Sequence, residues 1–244
     1  MKIGHATYVT DPQLDIRLSP RPYLHPVRTL GGTVVTDELC FDHPWHLGAS
    51  LTLADVNGWN FWGGRTYVRD QGYTWLEDHG TIRHYSPTQL RWLDGNGSTV
   101  LTERRQIDAS PAAGGWELSF RYALTAPPDQ PVTIGSPATN GRAGGAGYGG
   151  FFWRCPAAEK AISSVEHGSD APELTLTVDD SYALTFRGLA GDDRWFVRTE
   201  GYIGVCAALA WEKPLVIPAG GTLSRALTVL IQDVGSAAQA ATPE

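Results

Sequence analysis

Apolar and polar residues alternate along much of this chain with a period of two. That is the spacing of a strand with one face in a core. The stretch "TQLRWLDGNGSTVLTERRQID" predicts two strands joined by a turn at Asp94-Gly95-Asn96-Gly97. "WELSFRYALTA" predicts a further strand. "ELTLTVDDSYALTFRGL" predicts a hairpin turning at Asp179-Asp180, and "PLVIPAGGTLSRALTVLIQDV" another turning at Pro218-Ala219-Gly220-Gly221. No window of about eleven residues sustains the i, i+3, i+4, i+7 apolar pattern with caps, so few or no helices are expected. Turn signals recur at the short intervals of an antiparallel β-sandwich. The predicted fold is therefore all-β.

Pro and Gly are spread throughout, and no linker divides the chain. One domain is expected over residues 1–234, with a flexible C-terminal tail at 235–244. Thr139–Gly150, "TNGRAGGAGYGG", is irregular and rich in glycine. A phosphate loop would need a helix after it, whereas "FFWRC" follows and reads as a strand. A mobile loop bordering a cleft is the better reading.

Composition narrows the function. The 244 residues carry a net charge of −7 with no basic stripe, which argues against nucleic acid as a partner. No apolar run approaches the ~20 residues of a membrane span. The N-terminus lacks an apolar leader. The three cysteines, Cys40, Cys155 and Cys206, are odd in number and far apart, which fits buried thiols in a reducing cytoplasm. Nine Trp and nine Tyr are what a sugar cleft is built from, since flat rings stack on the apolar faces of pyranoses.

Candidate chemistry gathers in the first third of the chain, where six of the seven histidines precede residue 85. "FDHPWHLG", Phe41–Gly48, places Asp42, His43 and His46 around Pro44. A histidine accepts or donates a proton near neutral pH, and Asp42 would fix its tautomer. Glu103 is the candidate second group. On a strand it shares a face with Arg105, which would keep its carboxylate ionised. A metal site is the alternative, with His25, His43 and His46 as ligands and an open fourth position. Pro44 removes the helical geometry that would put two such ligands on one face, and no HExxH is present. A purely structural role is also open, with Asp42 closing a turn and the histidines bonded to loop carbonyls. Arg198 and Glu200 read as a surface pair.

The motifs "RPYLHPVRTLGGTVVTD", "DHPWHLGASLTLADVNGWNFWGG", "GTIRH" and "GYGGFFWR" together resemble a bacterial family known as PmoA-like, or methane oxygenase PmoA. The resemblance runs from about Arg21 to Asp233. It implies a sandwich of the supersandwich kind, similar to sugar-mutarotase folds, in a carbohydrate-catabolic setting. It places the family's motif on His25, Asp42, His43, His46, Asn57, Trp62, His84, Glu103, Tyr148 and Arg154. Many relatives carry His-His where this chain has Trp45-His46, which weakens a metal reading needing a ligand there.

The expectation is a cytoplasmic enzyme of sugar catabolism (an epimerase, lyase or hydrolase) acting on a small or oxidised sugar or glycoside. His43, His46 and Glu103 would do the acid–base work. His25, Asp42, Asn57, Trp62, His84, Tyr148 and Arg154 would bind substrate, with Arg154 facing a carboxylate or oxyanion. No cofactor is expected, a divalent metal on His25, His43 and His46 being the second choice. A non-catalytic carbohydrate-binding module is the other alternative. A homodimer is allowed by an exposed aromatic edge.

Overall fold

The computed structural model describes residues 1–235. The predicted tail falls almost wholly outside the described residues. Two large sheets account for most of the strands. In spatial order the first holds β1 (Lys2–Ile3), β2 (Ala6–Val9), β3 (Tyr23–Val27), β4 (Ala49–Thr52), β13 (Gly150–Arg154), β18 (Gly204–Ala208) and β17 (Arg194–Arg198). The second holds β14 (Ala161–Ser163), β15 (Glu173–Val178), β16 (Tyr182–Arg187), β20 (Thr222–Asp233), β11 (Gly115–Thr125), β10 (Thr99–Ala112), β9 (Gln89–Leu93) and β8 (Thr81–Ser86). A small sheet joins β19 (Leu215–Ile217), β12 (Val132–Gly135) and β5 (Asp55–Val56), and β6 (Thr66–Val68) pairs only with β7 (Gly72–Thr74). The strand pairings of both large sheets are antiparallel. The one helical element among the described residues is a short 3-10 turn, Ile16–Leu18. The expected all-β antiparallel sandwich is the observed fold.

The period of two builds the core. On β11, Trp116, Leu118, Phe120, Tyr122 and Leu124 are all buried at alternate positions. From the facing sheet come Phe151 and Trp153 of β13. The rings of Phe120 and Phe151 lie 4.6 Å apart, and those of Trp153 and Phe186 5.7 Å apart, so the two sheets pack face to face. Each such side chain contributes roughly 1.5–3 kcal/mol of burial free energy.

All five residues of β13 are buried. Its other face meets a second apolar cluster of Trp62, Phe152, Phe196, Cys206 and Ala208, against which Trp45, Tyr148 and Tyr202 rest. That is why "GFFWR" reads as an unbroken apolar run rather than an alternating one. The second cluster is the floor of the candidate site.

Two of the predicted hairpins form as read. Asp94 closes the first turn, its side chain accepting from the Asn96 and Ser98 amides. Asp179 and Asp180 both take positive φ between β15 and β16. The third does not form. The turn at Pro218–Gly221 is present, with the Gly221 amide bonded to the Pro218 carbonyl, but β19 pairs with β12. β20 gives one edge to β11 along nearly its whole length and the other to β16 only over Thr228–Asp233, while β19 finds its partner in the small sheet instead.

Candidate active site

The outer face of the first sheet carries a cleft of about 510 Å³. Its walls come mostly from loops, with strand residues at Tyr73, Phe196 and Arg198. The loop between β3 and β4 brings Asp42, His43, Trp45 and His46. Amide–carbonyl bonds from His43 to Cys40 and from His46 to His43 fold it tightly, and a bridge between Glu38 and Leu47 closes its base. Gly48 ends the loop at φ 46°, and a Cβ there would sit 2.1 Å from the Leu24 carbonyl oxygen. Only glycine fits that return to the sheet. Gly64 lies beneath Trp45, where a Cβ would meet the indole at 2.5 Å. The "DHPWHLG" and "WGG" motifs are therefore parts of one packed unit.

Arg21 ties this unit to the sheet. It is 1% exposed and has no carboxylate partner among the described residues. Its guanidinium instead donates to Ser50 Oγ and to the carbonyls of Leu18, Ser19, Trp45 and Trp62. Burial presses its pKa down to about 9.

At the centre stands a chain of polar contacts. Arg154 Nη2 donates to both oxygens of Asp42, at 3.0 and 3.1 Å. Asp42 Oδ2 lies 2.9 Å from His43 Nδ1. A carboxylate only accepts, so His43 Nδ1 carries a proton, and in the neutral ring Nε2 holds the lone pair. Nε2 makes no hydrogen bond to protein among the described residues. Burial raises the Asp42 carboxyl, but the His43 hydrogen bond and Arg154 outweigh it and hold the group below its usual 3.8. Asp42 is thus a stable anion that orients His43.

The two histidines of the motif differ. His46 is 1% exposed and stacks flat against His43, with centroids 4.7 Å apart and planes 10° apart. Its Nδ1 faces Arg154 Nη1 at 3.4 Å, and arginine can only donate. Burial, aided by His43, Arg154 and Arg21, puts its pKa well below 6.5. His46 is a neutral ring that supports His43.

Trp62 and Tyr148 form the floor, their rings 4.6 Å apart. The opposite wall is the β6–β7 hairpin, bearing Tyr73 and followed by Trp75. Tyr73 and Tyr148 hydroxyls are 2.9 Å apart, and Arg142, from the glycine-rich loop, also donates to the Tyr73 hydroxyl. Burial pushes Tyr148 well above the usual phenol range, so it stays protonated. His167 fastens the glycine-rich loop. Its Nε2 donates to the Gly145 carbonyl at 2.8 Å.

Asp42, His43, His46, Trp62, Tyr148 and Arg154 therefore come together. The other expected site residues do not. Glu103 is interior, bonded by Arg105 at 2.6 and 2.9 Å and by Trp92 Nε1 at 2.9 Å. It does share a strand face with Arg105, but that face points into the sandwich. His84 bonds Tyr8 OH and the Ser86 carbonyl on β8. Asn57 closes a turn against β12 at φ 50°, its side chain bonded to Thr133 N and the Pro131 carbonyl. His25 Nδ1 meets Thr36 Oγ1 and its Nε2 lies 3.7 Å from Glu38. The trio His25, His43 and His46 therefore makes no ligand set, and no group of three or more His, Cys, Asp or Glu side chains suited to a metal occurs among the described residues. Arg154 is held by Asp42 and does not face substrate as a free cation.

Arg65, Tyr73, Trp75, Arg142, His167 and Arg198 were not legible as cleft residues from the sequence, yet all line the cleft. Arg198 makes no ion pair with Glu200. One signal was available for part of the set. Tyr73 on β7 and Trp75 just beyond it are two residues apart, the spacing that extended chain gives to side chains on one face.

An all-β sandwich with an aromatic, arginine-rich cleft on the outer face of one sheet is the class that fold and site define. The chain belongs to the family of unknown function DUF6807, whose model matches residues 4–242. Among solved structures, a polysaccharide lyase is similar with a TM-score of 0.43 and 14% identity, over 95% of this chain and 33% of that one. This chain thus spans about a third of that protein's length. No curated protein matches the chain. No helix among the described residues is long and apolar enough to cross a membrane.

Proposed function

We propose that this protein is a carbohydrate-acting enzyme that abstracts a proton from its substrate with His43. The observation that carries this reading is the Arg154–Asp42–His43 chain, which leaves the His43 Nε2 lone pair free inside an aromatic-walled cleft. A carboxylate-oriented imidazole is a competent general base near neutral pH. Tyr73 replaces Glu103 as the second proton-handling group. Its oxygen accepts from Arg142 and lies within bonding distance of the Tyr148 hydroxyl, and when Tyr148 is the donor of that pair the Tyr73 proton is left for a substrate oxygen.

The composition of the cleft supports some reactions better than others. Ordinary glycoside hydrolysis uses two carboxyl groups flanking the scissile bond. Asp42 is the one carboxylate among the described lining residues, and it is engaged by Arg154 and His43. Elimination and epimerisation need a base and an acid rather than two carboxylates, and His43 and Tyr73 supply them.

Solvent-exchange NMR in heavy water tests the reading. Incubated with a panel of sugar acids and glycosides, the protein is expected to incorporate deuterium at one sugar carbon. His43→Gln should slow this by about a hundredfold or more, as loss of a general base does. Sugar binding without exchange or product would favour a binding module, which the exposed rims Phe41 and Trp75 would also serve.

A further inference from the structure

We infer that the substrate is a sugar carboxylate, a uronate-type residue, and that Arg65, Arg142 and Arg198 bind its acid group. This rests on the reading of the cleft as a carbohydrate-acting site. The three arginines come from three separate segments. Arg65 follows "WGG", Arg142 lies in the glycine-rich loop and Arg198 ends β17. All three line the same cavity.

None of them has a carboxylate within 4.0 Å among the described residues, whereas Arg105, Arg154, Arg187 and Arg225 each have one. Aromatic rings hold the three instead. The guanidinium of Arg142 lies 4.8 Å from the Tyr73 ring centre, Arg198 5.7 Å from Tyr202 and Arg65 6.0 Å from Trp75. A ring face orients a guanidinium without neutralising it, although Arg142 also gives one N–H to the Tyr73 hydroxyl.

The charge balance points the same way. Asp42 and Arg154 cancel, so the cleft holds three uncompensated positive charges in a chain of net charge −7. A low-dielectric cleft focuses such a field on an incoming anion. Guanidinium matches carboxylate geometry in forked pairs. The rings beside each arginine suit a pyranose carrying that carboxylate.

A bound carboxylate also explains the base. Once the arginines neutralise it, the hydrogen on the carbon bearing it becomes acidic. His43 Nε2 takes that proton. The C–H electron pair becomes a double bond to the neighbouring ring carbon, whose bond to the glycosidic oxygen breaks. The departing oxygen keeps that bond's electron pair and takes a proton from Tyr73. Atoms and electrons balance with no oxidant or added reactant.

Isothermal calorimetry with a uronate-containing disaccharide and its carboxyl-reduced, neutral counterpart tests the inference. Wild-type protein should bind the acid at least tenfold more tightly than the neutral sugar, and the preference should shrink as salt is raised. Arg65→Gln, Arg142→Gln and Arg198→Gln should each lose about tenfold in affinity for the acid and little for the neutral sugar. Equal affinity for both sugars, or binding of neither, overturns the inference. Tighter binding of a neutral sugar bearing a phosphate overturns the carboxylate assignment. His43→Gln keeps the arginines and should bind the acid as wild type does. Charge-selective binding by both proteins with no turnover by wild type would leave this inference standing and sink only the enzymatic reading. Turnover of the neutral sugar alone would do the reverse.

Discussion

Two arginine–carboxylate pairs sit on opposite sides of the first sheet, and they do different work. In the interior pair, Glu103 and Arg105 are 0% and 2% exposed as side chains. Every polar atom of that carboxylate has a fixed donor, from Arg105 and Trp92. In the cleft pair, Arg154 is 5% exposed but the Asp42 side chain is 41% exposed. One end is anchored and the other reaches a histidine in an open cavity. Composition does not separate the pairs. What differs is whether the carboxylate has a bond left for something that can leave. A closed pair can only hold the fold, while a pair with one open end can orient a reacting group.

Removing one partner of the closed pair should produce the largest effect. Glu103→Ala strands the Arg105 charge and the Trp92 N–H in the core. The expected loss of unfolding free energy is about 3–5 kcal/mol, measured by urea denaturation. A double variant, Glu103→Ala with Arg105→Met, should recover a good part of it, because no buried charge is then left alone. If the single variant proves as stable as wild type, the pair is not closed to solvent and the contrast fails.

The open pair should respond in the opposite way. Asp42→Asn keeps an acceptor for the buried Arg154 guanidinium and removes only the charge of a half-exposed carboxylate, so its stability loss should be smaller than that of Glu103→Ala. It also loses the anion that orients His43, so turnover should fall about a hundredfold, or roughly 2.7 kcal/mol in barrier. A large drop in stability with normal turnover would show that Asp42 is a turn-former and not an orienting group.

This contrast also explains what the sequence disclosed. Strand positions were legible because a period of two in Trp116, Leu118, Phe120, Tyr122 and Leu124 has one interpretation. The centre of the site was legible because Asp42, His43 and His46 are close in sequence, and a tight loop keeps neighbours together. Glu103 was misread because a strand pattern says which residues share a face, but not whether that face looks inward or outward. With Arg105 beside it, the pair is as plausible in a cleft as in a core. Arg65, Arg142 and Arg198 were hidden for the converse reason. They meet only through tertiary folding, and a single arginine in a loop carries no signal of its own. The pairing of β19 with β12 was lost in the same way, since local turn chemistry at Pro218–Gly221 cannot show that a strand far earlier in the chain takes β19 as its partner.

The smallest expected effect concerns the stack beneath the open pair, and it is a pH effect. His46 is buried and faces His43, Arg154 and Arg21, all of which oppose a positive charge on it. Its folded-state pKa lies well below 6.5, while in the unfolded chain it sits near that value. As pH falls through about 6.5, the unfolded chain takes up a proton that the folded one refuses. The unfolded state then binds more protons, so this histidine makes stability fall as pH falls, by up to about 1.4 kcal/mol per pH unit until the folded-state value is reached. At higher pH it contributes no slope. His84 is also lowered, chiefly by burial, and adds a slope of the same sign, but that slope is common to wild type and a His46 variant. The difference between wild type and His46→Gln in urea denaturation across this range therefore isolates His46. A slope that is shallower in His46→Gln is the expected result. Identical slopes would mean that His46 protonates in the fold, and it could then no longer be treated as the neutral ring supporting His43.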